Sequence, residues 1–450
     1  MGLIVSALLH AHTRASKHEG NLPYLQLVLG FNAAVYALHM YLDIRQLRAI
    51  KLPLPPKELR GVSDTAEYKK TQAYQTDKWW FSLVQGVYGF LLSSGLLFFM
   101  YLPWLWHIST QVVSRLGLSG EITVSVAFFL LDSLKDQLLG IPWSLWNTFI
   151  VEQRHGFNKQ TPLLFITDQL KQAALSAVLI PPIVAGFTWI LLNTGPGLPF
   201  ALWAFIFAVQ IIALTIYPVL IAPLFNKFDP LPPGALREKI EGLASSLKFP
   251  LTKLYVVDGS TRSAHSNAYM YGLYKNKRIV LFDTLIEQCS EGQVVAVLAH
   301  ELGHWKLSHT VQNLVLTQAH LLLSFSLFAA VRTSPALFAS FGFRSSRPAI
   351  IAFMLFQFIS APLEEVLAFL MNLVSRSFEF QADRFAASLG RAEELRGALL
   401  RLDAKNRSAQ NVDHLFSLFH HSHPPLVERL AALDGALKQA DGGAAAKKAD

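Results

Sequence analysis

Long apolar runs alternate with shorter mixed stretches along the chain, and seven of the runs approach the ~20 residues that a helix needs to cross a bilayer. They cover residues 22–42, 79–104, 122–141, 172–192, 198–224, 311–331 and 348–374. The third is the weakest, because Asp132, Lys135 and Asp136 interrupt it. Charge inside a membrane is costly and usually faces a wet cavity, so this run is expected to be a span that contributes to one. Glu364 and Glu365 in the seventh run raise the same expectation. Pro181-Pro182 and Pro362 fall inside runs, where neighbouring helices can re-satisfy the freed backbone groups.

Two stretches break the apolar pattern and read as water-facing and folded: residues 226–310 and those after 375. In the first, "EKIEGLASSL" has helical periodicity, whereas "TKLYVVDG" and "KRIVLFDTL" are β-rich. Lys275-Asn276-Lys277 is expected to turn between them, giving a small sheet beside a helix. The chain then divides into five spans (1–225), a water-facing segment (226–310), two further spans (311–374), a second water-facing segment (375–433) and a disordered Ala/Gly/Lys-rich tail (434–450).

Composition agrees with the pattern: 52% of the 450 residues are hydrophobic and 16% charged, against about 25% charged in soluble domains. The net charge of +8 is spread unevenly. Arg45, Arg48, Lys51, Lys57 and Arg60 follow the first run, only Arg115 separates the second from the third, and 226–310 is again basic. The positive-inside rule therefore places the N-terminus in the lumen and the C-terminus in the cytosol, with Arg332, Arg344 and Arg347 running against it. A basic cytosolic face suits anionic lipid headgroups; no nucleic-acid module is evident. Cys289 is the single cysteine, so no intrachain disulfide can form, and a lone thiol of this kind is expected to be inert. The start "MGLIVSALLHAH" lacks a basic region and cleavage site, so the first span would serve as targeting signal. "MGLIVS" has the form of a myristoylation site, which a lumenal N-terminus argues against. Lys447-Lys448-Ala449-Asp450 has the form of an endoplasmic-reticulum retrieval signal, or is simply a basic tail.

Chemistry enters at "VVAVLAHELGHWKLSHT", residues 294–310. His300 and His304, four apart, share one helical face, and H-E-x-x-H normally supplies two of the three protein ligands of a zinc ion that keeps one position open. Glu301 stands where its carboxylate can take a proton from the attacking water. Ser290 and Gln293 have capping-box spacing, and Gly303 leaves room for close approach. For the third ligand, "SRSFEFQADRFAASLG" offers Glu379, with Asp383 one helical turn on as a hydrogen-bond acceptor for a liganding imidazole. Alone, E-x-x-x-D would read as an exposed charged face; beside H-E-x-x-H it becomes the best candidate.

With these residues in place, the chain resembles the integral-membrane CAAX prenyl proteases, the Ste24-type zinc metalloproteases. The likeness is densest in "VEQRHGFNKQT", "IAPLFNKFDPL", "FPLTKLYVVDGSTRSAHSNAYMYGLYKNKRIVLFDTL", "HELGHW", "SRSFEFQADRFA" and "FSLFHHSHPPLVERL". The resemblance implies an α-helical membrane protein of seven transmembrane helices around an intramembrane chamber, with a gluzincin-like zinc protease domain containing a small β-sheet at its cytosolic end. By position it implies one zinc ion held by His300, His304 and Glu379, with Glu301 as base and Asp383 behind the ligands. It implies that Asn267, Ala268 and Tyr269 hold the substrate as an added strand. His423 would donate to the developing oxyanion, and Arg429 would either pair with Asp383 or bind the substrate carboxylate; packing roles stay open for both. His265, His309, His420 and His421 are read as surface or structural. The implied reaction is removal of the last three residues of farnesylated or otherwise prenylated proteins at the endoplasmic-reticulum membrane. Two other readings remain: a membrane quality-control protease of misfolded or translocon-clogging chains, and a non-catalytic scaffold around structural zinc, for which Glu301 would have no use.

Overall fold

The computed structural model describes residues 22–61, 64–272 and 274–446. The myristoylation-like start and the Lys447-Lys448 pair lie outside the described residues. The N-terminal half is a run of helices: α1 (Tyr24–Ile50), α2 (Thr65–Phe98), a short α3 (Tyr101–Arg115), α4 (Glu121–Trp146), α5 (Pro162–Asn193) and α6 (Leu198–Ile216), the last continued by a π-helical turn at Tyr217–Ile221. Next come β1 (Phe228–Pro230), α7 (Ala235–Ser246), β2 (Leu251–Val257), β3 (Ala268–Tyr271), β4 (Lys277–Phe282), α8 (Asp283–Gln288) and α9 (Glu291–Lys306). Helices α10 (His309–Val331), α11 (Pro335–Ser340) and the 40-residue α12 (Ala349–Ser388) return through the bundle, followed by α13 (Ala392–Asn406), α14 (His414–His420) and α15 (Leu426–Ala446).

Six helices among the described residues are long and apolar enough to cross a membrane: α1, α2, α5, α6 with its continuation to Leu224, α10 and α12. No more than 28% of the apolar window of any of them is buried within the protein, so their exposed hydrophobic faces need lipid. The third expected span, α4, falls outside that set because of Asp132, Lys135 and Asp136. Its 26 residues still reach ~39 Å, and it packs between α3 and α5, so seven long helices form the bundle. The charges satisfy one another: Lys135 Nζ lies 2.7 Å from Asp132 and 3.1 Å from Asp136, and the Tyr101 hydroxyl donates to Asp132 at 3.0 Å. Helices α4, α5, α6, α10 and α12 line a largely apolar cavity of 570 Å³, with His320 and Glu364 on its wall.

Three expectations need correction. The second span does not run to residue 104: the chain breaks at Met100, which takes a left-handed φ of 55°, and Trp104 belongs to α3. Hydropathy cannot register this break, because residues 96–102 are apolar throughout. The chain reverses between Tyr271, which ends β3, and Lys277, which already opens β4. Gly272 makes it possible: its φ is +114°, and a Cβ there would collide with the Asn276 carbonyl. The tail expected to be disordered continues α15 as far as Ala446.

The water-facing layer is built around α9. Its capping box forms, with Ser290 Oγ accepting from the Gln293 N–H and Gln293 Oε1 accepting from the Ser290 N–H at 3.0 Å. Val294, Val295, Leu298, Ala299 and Leu302 are buried against α7, β2, β4 and α13, each large side chain contributing ~1.5–3 kcal/mol. The sheet has the order β1-β2-β4-β3, with β2 and β4 parallel and the other pairs antiparallel. β3 is therefore an edge strand, and it packs beside α9.

Candidate metal centre and active site

Two breaks in regular structure assemble the site. Helix α9 ends at Lys306, and Ser308, with a φ of 61°, turns the chain into α10, so the two histidines sit at the foot of a membrane span. Helix α12 instead runs unbroken past its apolar part and carries Glu379 and Asp383 to the same place. Gly303 lets the helices meet, since a Cβ there would lie 3.1 Å from Phe385 and 3.2 Å from the Ala382 backbone.

The three donor groups form a triangle of near-equal separations, with each carboxylate oxygen of Glu379 facing one imidazole. His300 Nε2 and His304 Nε2 are 3.3 Å apart, His300 Nε2 is 3.4 Å from Glu379 Oε2, and His304 Nε2 is 3.3 Å from Glu379 Oε1. Zinc bonds of ~2.0–2.1 Å in tetrahedral geometry give ligand–ligand edges of about 3.3–3.4 Å, so the triangle fits such an ion. Glu379 Oε2 is buried, with three nitrogens within 3.5 Å, yet no well-directed hydrogen bond reaches it. A cation at the centre resolves both that orphaned oxygen and the two imidazole nitrogens that face each other.

Behind the triangle, Asp383 Oδ1 lies 2.8 Å from His300 Nδ1, which directs the lone pair of Nε2 at the centre. Arg429 donates to Asp383 from Nε at 2.9 Å and from its terminal nitrogen at 2.6 Å, the first of its two expected pairings. Burial opposes the His300 imidazolium, but Asp383 and Glu379 outweigh it and push its pKa up to about 9. A cation here competes with a proton. Burial also raises the Glu301 carboxyl, against the pull of the neighbouring His300 and His304, and a more basic carboxylate is a better proton acceptor. His423 is exposed, with Nδ1 3.0 Å from Glu379 Oε2.

Asn267, Ala268 and Tyr269 occupy the free edge. Asn267 accepts from the Phe282 N–H at 3.0 Å, and by antiparallel alternation the backbone groups of Ala268 and Met270 point outward. The Asn267 side chain accepts the Ala268 N–H at 2.8 Å.

Two features escaped sequence reasoning. His309, read as structural, is buried and stacks on Phe378 with centroids 4.2 Å apart, and its Nδ1 lies 3.0 Å from His304 Nδ1; it does for His304 what Asp383 does for His300. The segment "VEQRHGFNKQT" carried no role. It clamps the loop before β3: Lys159 N–H donates to the Arg262 carbonyl, Ala264 N–H to that of Phe157, both at 3.1 Å, and Arg262 forks onto Asp168 at 2.9 and 3.0 Å. His265 in that loop stacks on Phe157 and lies 3.4 Å from Glu152, which also accepts from the Tyr74 hydroxyl at 2.7 Å. The only signal was sequence likeness, since these partners stand about a hundred residues apart.

A helical bundle joined to an H-E-x-x-H domain, with a carboxylate from the last span completing a group that could hold a metal ion, defines a membrane-embedded metallopeptidase. The comparisons place it more closely. Residues 46–227 match the model described as CAAX prenyl protease N-terminal, five membrane helices, and residues 230–437 match Peptidase family M48. A CAAX prenyl protease 1 homolog of Arabidopsis thaliana is 52% identical over 93% of this chain and 100% of its own, and that of Homo sapiens is 42% identical over 90% and 94%. The crystal structure of S. mikatae Ste24p superposes with a TM-score of 0.88 at 38% identity, covering 92% of this chain and 100% of that one. The chain belongs to the CAAX prenyl protease 1 family within peptidase family M48.

Proposed function

We propose that this protein is a zinc-dependent endopeptidase that removes the C-terminal three residues of prenylated CAAX proteins at the membrane. The observation that carries the reading is the donor triangle of His300, His304 and Glu379, with Glu301 adjoining it and the open edge of β3 alongside. Zinc, when bound, would polarise the scissile carbonyl and acidify water. The substrate lies extended along Ala268–Met270, the Asn267 side chain steering its backbone. Glu301, made more basic by burial, takes a proton from the attacking water and returns it to the departing amine. His423, whose Nδ1 lies 3.0 Å from Glu379 Oε2, donates to the developing oxyanion, a contribution of about 2.7–4 kcal/mol. Asp383, Arg429 and His309 act by fixing the imidazoles.

The charge distribution supports an endoplasmic-reticulum membrane setting with a lumenal N-terminus and a cytosolic zinc site. The deciding experiment compares a farnesylated CAAX peptide with its unfarnesylated twin, with and without chelator. Faster, chelator-sensitive cleavage of the farnesylated peptide is expected. Equal turnover of the two would remove prenyl specificity and leave a general membrane protease.

A further inference from the structure

A second cavity, of 740 Å³, opens directly off the metal centre and shares His423 and Arg429 with it. It also reaches His265, three residues before β3, and Lys78 on α2. A peptide added antiparallel to β3 runs from the Tyr271 end toward Asn267, so beyond the cleaved bond it heads for His265 and into this cavity. In a three-residue leaving group, ~10 Å long when extended, the tip is a free α-carboxylate. The wall mixes Lys78, Asp403, Asn406 and imidazoles with Leu399, Leu402, Val412 and Leu426, and the antiparallel orientation is the one that brings the anionic end of the peptide to its polar groups.

We propose that Lys78 binds the C-terminal carboxylate of the substrate and so sets the length of the removed tripeptide. This rests on the endopeptidase reading above. The other basic groups of the wall are spoken for. Arg429 is committed to Asp383; burial lowers the pKa of His420 to about 4 and lowers that of His421 as well. Burial pushes Asp403 up to about 7, which weakens its repulsion of an anion. Glu152, near His265, is occupied by Tyr74. Lys78 is exposed and makes no ion pair among the described residues; its Nζ rests 5.2 Å from the Tyr74 ring centroid, a site a carboxylate can share.

The test uses the full-length protein and one farnesylated peptide made as the free acid and as the C-terminal amide. In wild type, amidation should lower kcat/KM by up to about fivefold, the range for an ion pair to an exposed lysine. Lys78→Gln should lose that factor on the acid and be indifferent to amidation, and Lys78→Arg should keep most of it. A lysine that merely reaches lipid headgroups would cost acid and amide alike, and that result, or no amidation effect in wild type, overturns the assignment. Should wild type cleave neither peptide, the endopeptidase reading fails by itself. Calorimetry with the free tripeptide then decides the anchor: tighter binding of the acid than the amide, lost in Lys78→Gln, supports it, and equal binding overturns it.

Discussion

Histidine meets carboxylate in both layers of this molecule, at similar distances and with opposite surroundings. In the metal centre, His300 Nδ1 and Asp383 are 2.8 Å apart with side-chain exposures of 7% and 1%. In the bundle, His39 and Glu365 are 2.9 Å apart at 30% and 36%, and His320 and Glu364 are 3.1 Å apart at 34% and 42%. Distance alone would rank the pairs together; burial separates them. A charge sealed from water depends on every partner it has, and removing one costs about 3–5 kcal/mol. A hydrated pair is worth ~0–1 kcal/mol, because water replaces whichever partner is lost. The exposed pairs let the bundle carry charge within an otherwise apolar wall, and the buried cluster fixes ring orientation at the candidate metal centre.

Substitutions in the buried cluster should carry the largest effects. Glu379→Ala removes a ligand and leaves two imidazoles facing each other, so bound zinc measured by elemental analysis should fall close to zero and kcat/KM on the order of 10³-fold or more. Stoichiometric zinc in this variant would mean that the third ligand lies elsewhere. Asp383→Asn keeps the volume but loses the charge that holds His300 and Arg429, and the amide can present its NH2 to the imidazole N–H. Zinc affinity, read by competition with a chromogenic chelator, should drop about 10–100-fold, with the overall fold retained in circular dichroism. An unchanged affinity would make Asp383 a packing residue.

Legibility in the sequence divides along the same line. The spans announce themselves because lipid selects on composition averaged over twenty residues. The candidate metal ligands do so because two helices each place paired residues at i and i+4, a spacing the eye can read. What could not be read depends on chain direction or on distant partners. The break at Met100 sits in an unbroken apolar run. His309 returns to His304 only because Ser308 adopts a left-handed conformation. The partners of Glu364 and Glu365 lie 44 and 326 residues away, and Glu152 meets His265 across 113. Intramembrane charge was legible as a problem, whereas its solution belongs to the tertiary structure.

The smallest effect is expected in the exposed pairs, and it bears most directly on the contrast. Glu365 touches His39, whose other ring nitrogen is 3.4 Å from His420, so the pair looks on paper like a relay as ordered as the one behind His300. If water screens it, Glu365→Gln should move kcat/KM less than about fivefold and shift stability by under ~1 kcal/mol, measured by peptide turnover and by thermal melting in detergent. Glu364→Gln, with the more exposed side chain, should do no more. Should either variant approach the cost of Asp383→Asn, the bundle pairs would not be solvated as their exposure indicates, and burial would lose its authority over distance as the guide to which histidine–carboxylate contacts this protein depends on.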